Sequence, residues 1–146
     1  MLTKPQHGWS TITIGHWSDR CSYLDDVPYL LTQAVDASCR THMPQSVEFD
    51  AEGHEYIIVI GDYHTHIIVS NDDAHSYYTV DVSNKELCRQ LIDDIRENID
   101  GWAAWPSHIA CRPAMYEDEI RERKLDLSVY CDVMERRHLK GERQNA

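Results

Sequence analysis

The chain has 146 residues and a mass of 17.0 kDa, with 25 acidic against 14 basic side chains and a formal net charge of -11. A hydrophobic share of 42%, with eight Tyr and four Trp, is enough for a packed core and argues against disorder. The charge disfavours nucleic acid, whose binding needs Lys and Arg to displace counterions from phosphates, and it favours a basic partner.

The expected organisation is one domain over 1–146. The sheet and two helices occupy about 8–105, a C-terminal helix covers 115–140, and 141–146 form a frayed tail. From Ser10, the alternation Ser-Thr-Ile-Thr-Ile places Ile12 and Ile14 on one face of a first strand. The polar run Ser18 to Leu24 reads as the end of that strand or a loop. Asp25-Asp26-Val27-Pro28 opens a helix, with acids at the positive end of its dipole and Pro in the first turn. Leu30, Leu31, Ala34, Val35 and Ser38 form its apolar stripe, and Met43-Pro44 ends it.

Gln45 to Val82 organises the rest. Four runs rich in Val, Ile, Tyr, Phe and Thr are separated by Ala51-Glu52-Gly53, Gly61-Asp62 and Asn71-Asp72-Asp73. The gaps are too short for crossover helices, so the strands should follow one another as an antiparallel meander. Counting the first strand, this gives an α+β fold with an antiparallel meander sheet of about five strands, helices packed on one face, and a C-terminal helix.

Ser83-Asn84-Lys85-Glu86 is a capping box. Behind it Leu87, Leu91, Ile95, Ile99 and Trp102 line one face of a helix, with Cys88 and Ile92 beside them, which should pack on the sheet and stop at Pro106. Residues 106–114 read as a linker. From Glu117 to about Leu139 the chain is helix-forming, with acids leading and bases trailing.

Five cysteines (Cys21, Cys39, Cys88, Cys111, Cys131) without a Cys-x-x-Cys pair favour reduced, mostly buried thiols. Cys21, between Arg20 and Ser22, has the only polar setting that could lower a thiol pKa. The N-terminus has no apolar segment and no run reaches membrane-spanning length. The expectation is a cytoplasmic protein that binds neither membrane nor nucleic acid.

His64 and His66 are two apart on a strand, so both rings share a face, and His54 on the preceding strand could be a neighbour. A zinc site built on His54, His64 and His66, with Glu55 or Asp62 as base, is one reading. Ordinary amphipathic alternation places the same rings on the solvent face, opposite Tyr63, Ile67 and Val69. There is no Gly-x-Ser-x-Gly elbow and no Gly-rich phosphate loop.

Glu48, Asp50 and Glu52 alternate with Val47, Phe49 and Ala51, so these acids share the face away from the core. With Glu55 they surround the first turn of the meander, and Asp62, Asp72 and Asp73 stand at the later turns. Paired carboxylates suit general acid and base work. A solvated sheet face is the plainer reading. Together with Tyr56, Tyr63, Tyr77 and Tyr78 they also suit an acidic, aromatic surface for a basic protein. Trp105 before Pro106 could be core or an exposed anchor.

Three stretches carry a resemblance: Gly8-Trp9 with Ser18 through Pro28; Val47-Glu48-Phe49-Asp50-Ala51-Glu52-Gly53; and the helix ending Asp100-Gly101-Trp102-Ala103-Ala104-Trp105. Over 8–105 the chain resembles small acidic bacterial proteins encoded beside polymorphic toxins, the immunity proteins of contact-dependent, Rhs and type VI secretion effectors. The resemblance implies a non-catalytic cytoplasmic protein, without cofactor, that binds a cognate toxin protein domain and occludes its active site. It transfers no interface residues. Charge and face alone select Glu48, Asp50, Glu52, Glu55, Asp62, His64, His66, Asp72, Asp73 and Tyr77. Rival readings are the histidine-based metal enzyme and an acidic adaptor that mimics nucleic-acid charge.

Overall fold

A computed structural model gives the structure of residues 1–105 and 116–141. The segment read as a linker, with Cys111, and residues 142–146 of the tail lie outside the described residues.

The fold is α+β: β1 (Trp9–Ile14), β2 (Trp17–Ser22), α1 (Val27–Thr41), β3 (Gln45–Asp50), β4 (Glu55–Ile60), β5 (Thr65–Asn71), β6 (Ala74–Val80), α2 (Asn84–Glu97), α3 (Ile99–Ala103) and α4 (Glu117–His138). The meander is present as a four-stranded antiparallel sheet in the order β3-β4-β5-β6. The first strand does not join it. Ile14 pairs with Trp17 across Gly15-His16, and Gly15 sits at φ +57, the left-handed conformation that a tight hairpin turn needs. The local partner captures β1, and the polar run after Trp17 becomes β2 instead of a loop.

Alternation in the meander decides which face is buried. Val47, Phe49, Tyr56, Ile58, Ile60, Ile67 and Val80 point into one core with Ile12 and Ile14 of the hairpin. Trp17 of β2 meets Tyr56 edge-on at 5.1 Å, and the Tyr56 hydroxyl donates to the Arg20 carbonyl at 2.9 Å. Hairpin and helices therefore cover the same side of the sheet. Among the described residues the other side carries no helix.

α1 lies against β3 and β4 through Leu31, Ala34, Val35 and Ser38. It ends at His42, whose left-handed conformation (φ 58) lets its N–H donate back to Ser38 O at 2.9 Å. Ser83 caps α2 by accepting from Glu86 N at 3.2 Å. The reciprocal half of the expected box is not formed, because the Glu86 carboxylate is taken by Arg89 and Gln90. Replacing Ser83 by Ala is expected to cost about 1 kcal/mol. A urea midpoint identical to that of the parent chain would contradict this.

The long apolar stripe after Ser83 is not one helix. It breaks at Asn98 (φ -125, ψ 38), where α2 ends and α3 begins, and Trp102 and Trp105 are both fully buried. Nor does α2 lie flat on the sheet. It packs mainly between α1 and α4, so the helices form a second layer of their own. Trp105 is fully buried and its Nε1 donates to Asp25 O at 2.8 Å, which excludes the exposed-anchor reading.

α4 is docked. Leu127, Cys131 and Met134 are buried, and His138 meets Asp36 of α1 at 2.8 Å. Arg96 of α2 is paired with Asp132 at 2.7 Å and with Glu135. Arg123 donates to both carboxylate oxygens of Asp26, at 2.9 Å for Nη1. Among the described residues no helix is long and apolar enough to cross a membrane.

Candidate functional site: the open face of the four-stranded sheet

Register sorts the uncovered face into three rows across the strands. Glu48, Ile57, Ile68 and Tyr77 form the middle row, Ser46, Val59, His66 and Thr79 a second, and Asp50, Glu55, Ser70 and His75 a third. Ile57, Val59 and Ile68 are half-buried among their neighbours, and Tyr77 is 72% exposed. The face is thus an apolar strip, edged by an aromatic ring on β6 and by carboxylates on β3 and β4.

Asp50 and Glu55 stand directly opposite each other, an arrangement of like charges that works against strand pairing. Asp50 Oδ1 accepts from Glu52 N at 2.7 Å, and the backbone N–H of Asp50 donates to Asp25 Oδ2 at 2.8 Å. That half-buried Asp25 carboxyl is pushed above the usual range by burial, then by the charges of Asp50 and Glu48. At this end of the sheet a cleft of about 380 Å³ is lined by Asp50, Gly53, His54, Glu55, Ser70, Asn71 and Asp72.

The β3–β4 turn is held from behind. Glu52 (φ 57) and Gly53 (φ 150) make a left-handed bend. Arg20 of β2 donates to the carbonyls of Ala51 at 3.0 Å and Glu52 at 3.4 Å, with its guanidinium over the Trp9 ring. These hydrogen bonds of the Arg20 guanidinium thus go to carbonyls and not to the carboxylates of the face.

Charge segregation along the chain is the signal that composition conceals. Residues 41–84 contain no Lys or Arg but hold eight carboxylates, Glu48, Asp50, Glu52, Glu55, Asp62, Asp72, Asp73 and Asp81. The remaining 17 acids and 14 bases come close to balance, so -8 of the net -11 belongs to the sheet segment.

The selected residues do not form one cluster. Asp50, Glu52, Glu55, Asp72 and Asp73 gather at the end with the β3–β4 and β5–β6 turns, while Glu48, His66 and Tyr77 lie along the open face. Asp62 and His64 sit at the opposite end, roughly 18 Å away by the rise of β4. Asp62 joins three elements there: it accepts from Asn84 Nδ2 at 2.8 Å and faces His42 Nδ1 at 3.2 Å. Tyr56, expected on the surface, is wholly buried, because its position in β4 is a core position. Tyr63 does not share a core face with Ile67; it is 80% exposed in the β4–β5 turn.

The three imidazoles do not converge on a metal site. His54 meets Asp19 of β2 at 2.6 Å, His64 meets Asp81 at 2.9 Å, and His66 meets Thr79 Oγ1 at 3.0 Å. His66 pairs with Val59, five residues along β4 from His54, a separation of roughly 16 Å. Among the described residues no group of three or more His, Cys, Asp or Glu side chains is placed to hold a metal ion.

Cys21 is fully buried, and burial pushes its thiol up to about 12 despite hydrogen bonding to Ser10. Its polar sequence neighbours point away from it. A thiol reagent at about pH 8 is expected to leave Cys21 unmodified in the native protein and to label it in urea, because the thiolate is the reactive form. Labelling of native Cys21 would contradict this. Searches of protein families, of curated proteins and of solved structures find no match for this chain.

Proposed function

We propose that this protein is a cytoplasmic immunity protein that neutralises a basic toxin domain by binding it on the open sheet face. One observation carries the reading: an uncovered apolar strip with an exposed Tyr77, bordered by carboxylates, in a segment of 41–84 without one Lys or Arg. Such a surface keeps unpaired negative charge that a complementary partner would neutralise, and aromatic residues over desolvated apolar ground are the usual energetic centre of protein interfaces. The buried, unactivated Cys21 and the scattered histidines offer no comparable support for catalysis.

The test has two stages. Tagged protein captures its partner from a lysate of the source organism, and the partner is then expressed alone or together with this chain. The expected result is growth arrest with the partner alone and growth restored by co-expression. A captured partner that is harmless on its own would contradict the reading.

A further inference from the structure

The four-stranded sheet ends on one side at β6, and this edge is open. Among the described residues no backbone group outside β5 bonds to Ala74–Val80. Ala74, Ser76 and Tyr78 share the core side with Val69 and Ile67, yet all three are exposed. Core contact resumes only at Val80, which lies against Gly15.

The hairpin register shows which groups face outward. Asn71 pairs with Ala74 across the two-residue turn Asp72-Asp73, so this closing pair exchanges its backbone bonds within the hairpin. Alternation then turns the N–H and C=O of His75, Tyr77 and Thr79 away from β5. The side-chain bonds Ser70 to His75 (2.9 Å) and His66 to Thr79 (3.0 Å) fit, since side chains approach most closely at pairs without backbone bonds.

An exposed edge of this kind is normally blunted by Lys, Pro or a bulge, and β6 has none of them. Its only titratable groups are the imidazole of His75 and the phenols of Tyr77 and Tyr78. Carboxylates stand at both ends: Asp72 and Asp73 before it, and Asp81 after it, 92% exposed beside His64. Asp73 and Asp81 are eight residues apart, roughly 26 Å along an extended strand.

We infer that β6 is a strand-addition site for an extended segment of the partner with an uncharged β-branched and aromatic middle and a Lys or Arg at each end. Backbone groups of His75, Tyr77 and Thr79 supply the ladder, and the terminal carboxylates set its register. A second copy of this chain fits poorly. Antiparallel self-pairing centred on Tyr77 would set Asp73 opposite Asp81 at both ends, like charge against like charge.

The test uses the full chain and the blocked peptide Lys-Val-Thr-Val-Tyr-Val-Thr-Val-Lys, with a control carrying Glu for both Lys. The readout is hydrogen–deuterium exchange followed by NMR. Saturating Lys-ended peptide is expected to slow exchange of the His75, Tyr77 and Thr79 amides about tenfold or more, and the Glu-ended peptide to bind about tenfold more weakly. Thr79→Pro removes an outward donor while sparing the bonds to β5, and should weaken peptide binding about tenfold, whereas Thr79→Ala should stay within about twofold.

No binding at about millimolar peptide, unchanged exchange at those amides, or equal affinity of the Pro and Ala variants would overturn the inference. Protection of the same amides that grows with protein concentration, without peptide, would overturn this occupant in favour of a second copy. The inference rests on the protein-binding reading above, but the two fail separately. A captured toxin that binds Thr79→Pro as tightly as the parent chain leaves that reading standing and sinks strand addition. Peptide binding at β6 with no captured toxin does the reverse.

Discussion

Replacing Glu48 and Glu55 together by Lys is expected to slow association with a basic partner by about ten- to a hundredfold at low salt, while leaving the melting temperature nearly unchanged. Both side chains are exposed on β3 and β4, away from the core that Val47, Phe49, Tyr56 and Ile58 fill. Their reversal removes no packing. It also relieves the opposition of Asp50 and Glu55, so any stability change should be slightly favourable, a few tenths of a kcal/mol. The rate difference should shrink as salt is raised, because the screening length falls from about 30 Å at 0.01 M to about 3 Å at 1 M. Reversing Asp72 and Asp73 in the β5–β6 turn should act in the same direction. If association at low salt matched the parent rate in both variants, the acidic end of the sheet would lie outside the interface.

Trp105→Ala should have the opposite profile, with a large loss of stability. Its ring is fully buried, lies 5.1 Å from the Trp102 ring, and bonds through Nε1 to the Asp25 carbonyl where β2 leads into α1. Truncation leaves a cavity in the core and removes one of the two hydrogen bonds that the Asp25 carbonyl accepts, the other coming from Val27 N at 2.9 Å. The expected cost is about 3–5 kcal/mol, a fall in melting temperature of roughly 10–15 °C for a chain of this size. Thermal unfolding followed by circular dichroism measures it directly. A fall of only a degree or two, with native packing retained, would mean that this end of the core relaxes around the deletion.

Paired with the charge reversals, the tryptophan variant separates a surface that binds from a core that holds. Tyr77 belongs with the first group. It rests on no core residue, so its removal should be felt in partner affinity much more than in unfolding.

Period and punctuation made much of the fold readable. Val47, Phe49 and Ala51 alternating with acids set the buried side of β3, and Ser83 with Glu86 marked the start of α2. What escaped was the choice between partners. Ile12 and Ile14 read correctly as core positions, but nothing in their alternation tells whether β1 extends the meander or pairs with Trp17–Ser22; the two-residue turn at Gly15-His16 decided it. A continuous stripe from Leu87 to Trp102 likewise hides a break at Asn98, because two successive helices can both present apolar faces to one core. In the site, face assignments for Glu48, Asp50, Glu55, His66 and Tyr77 follow from strand parity. Tyr56 was misplaced by its chemistry, since a phenol reads as surface until the Arg20 carbonyl is found to receive its hydroxyl. The separation of His54 from His66 needed the register of β4 against β5, which sequence spacing does not contain.

The central claim is that the partner seats on the open face of the sheet and not on the helical layer. Hydrogen–deuterium exchange of the protein alone and in complex with its captured partner tests this most directly. The predicted result is new protection confined to 45–82, strongest in β4 to β6, with α4 exchanging as in the free protein. Protection concentrated on the exposed side of α4, around Leu125, Val129 and Tyr130, with the sheet unchanged, would contradict it.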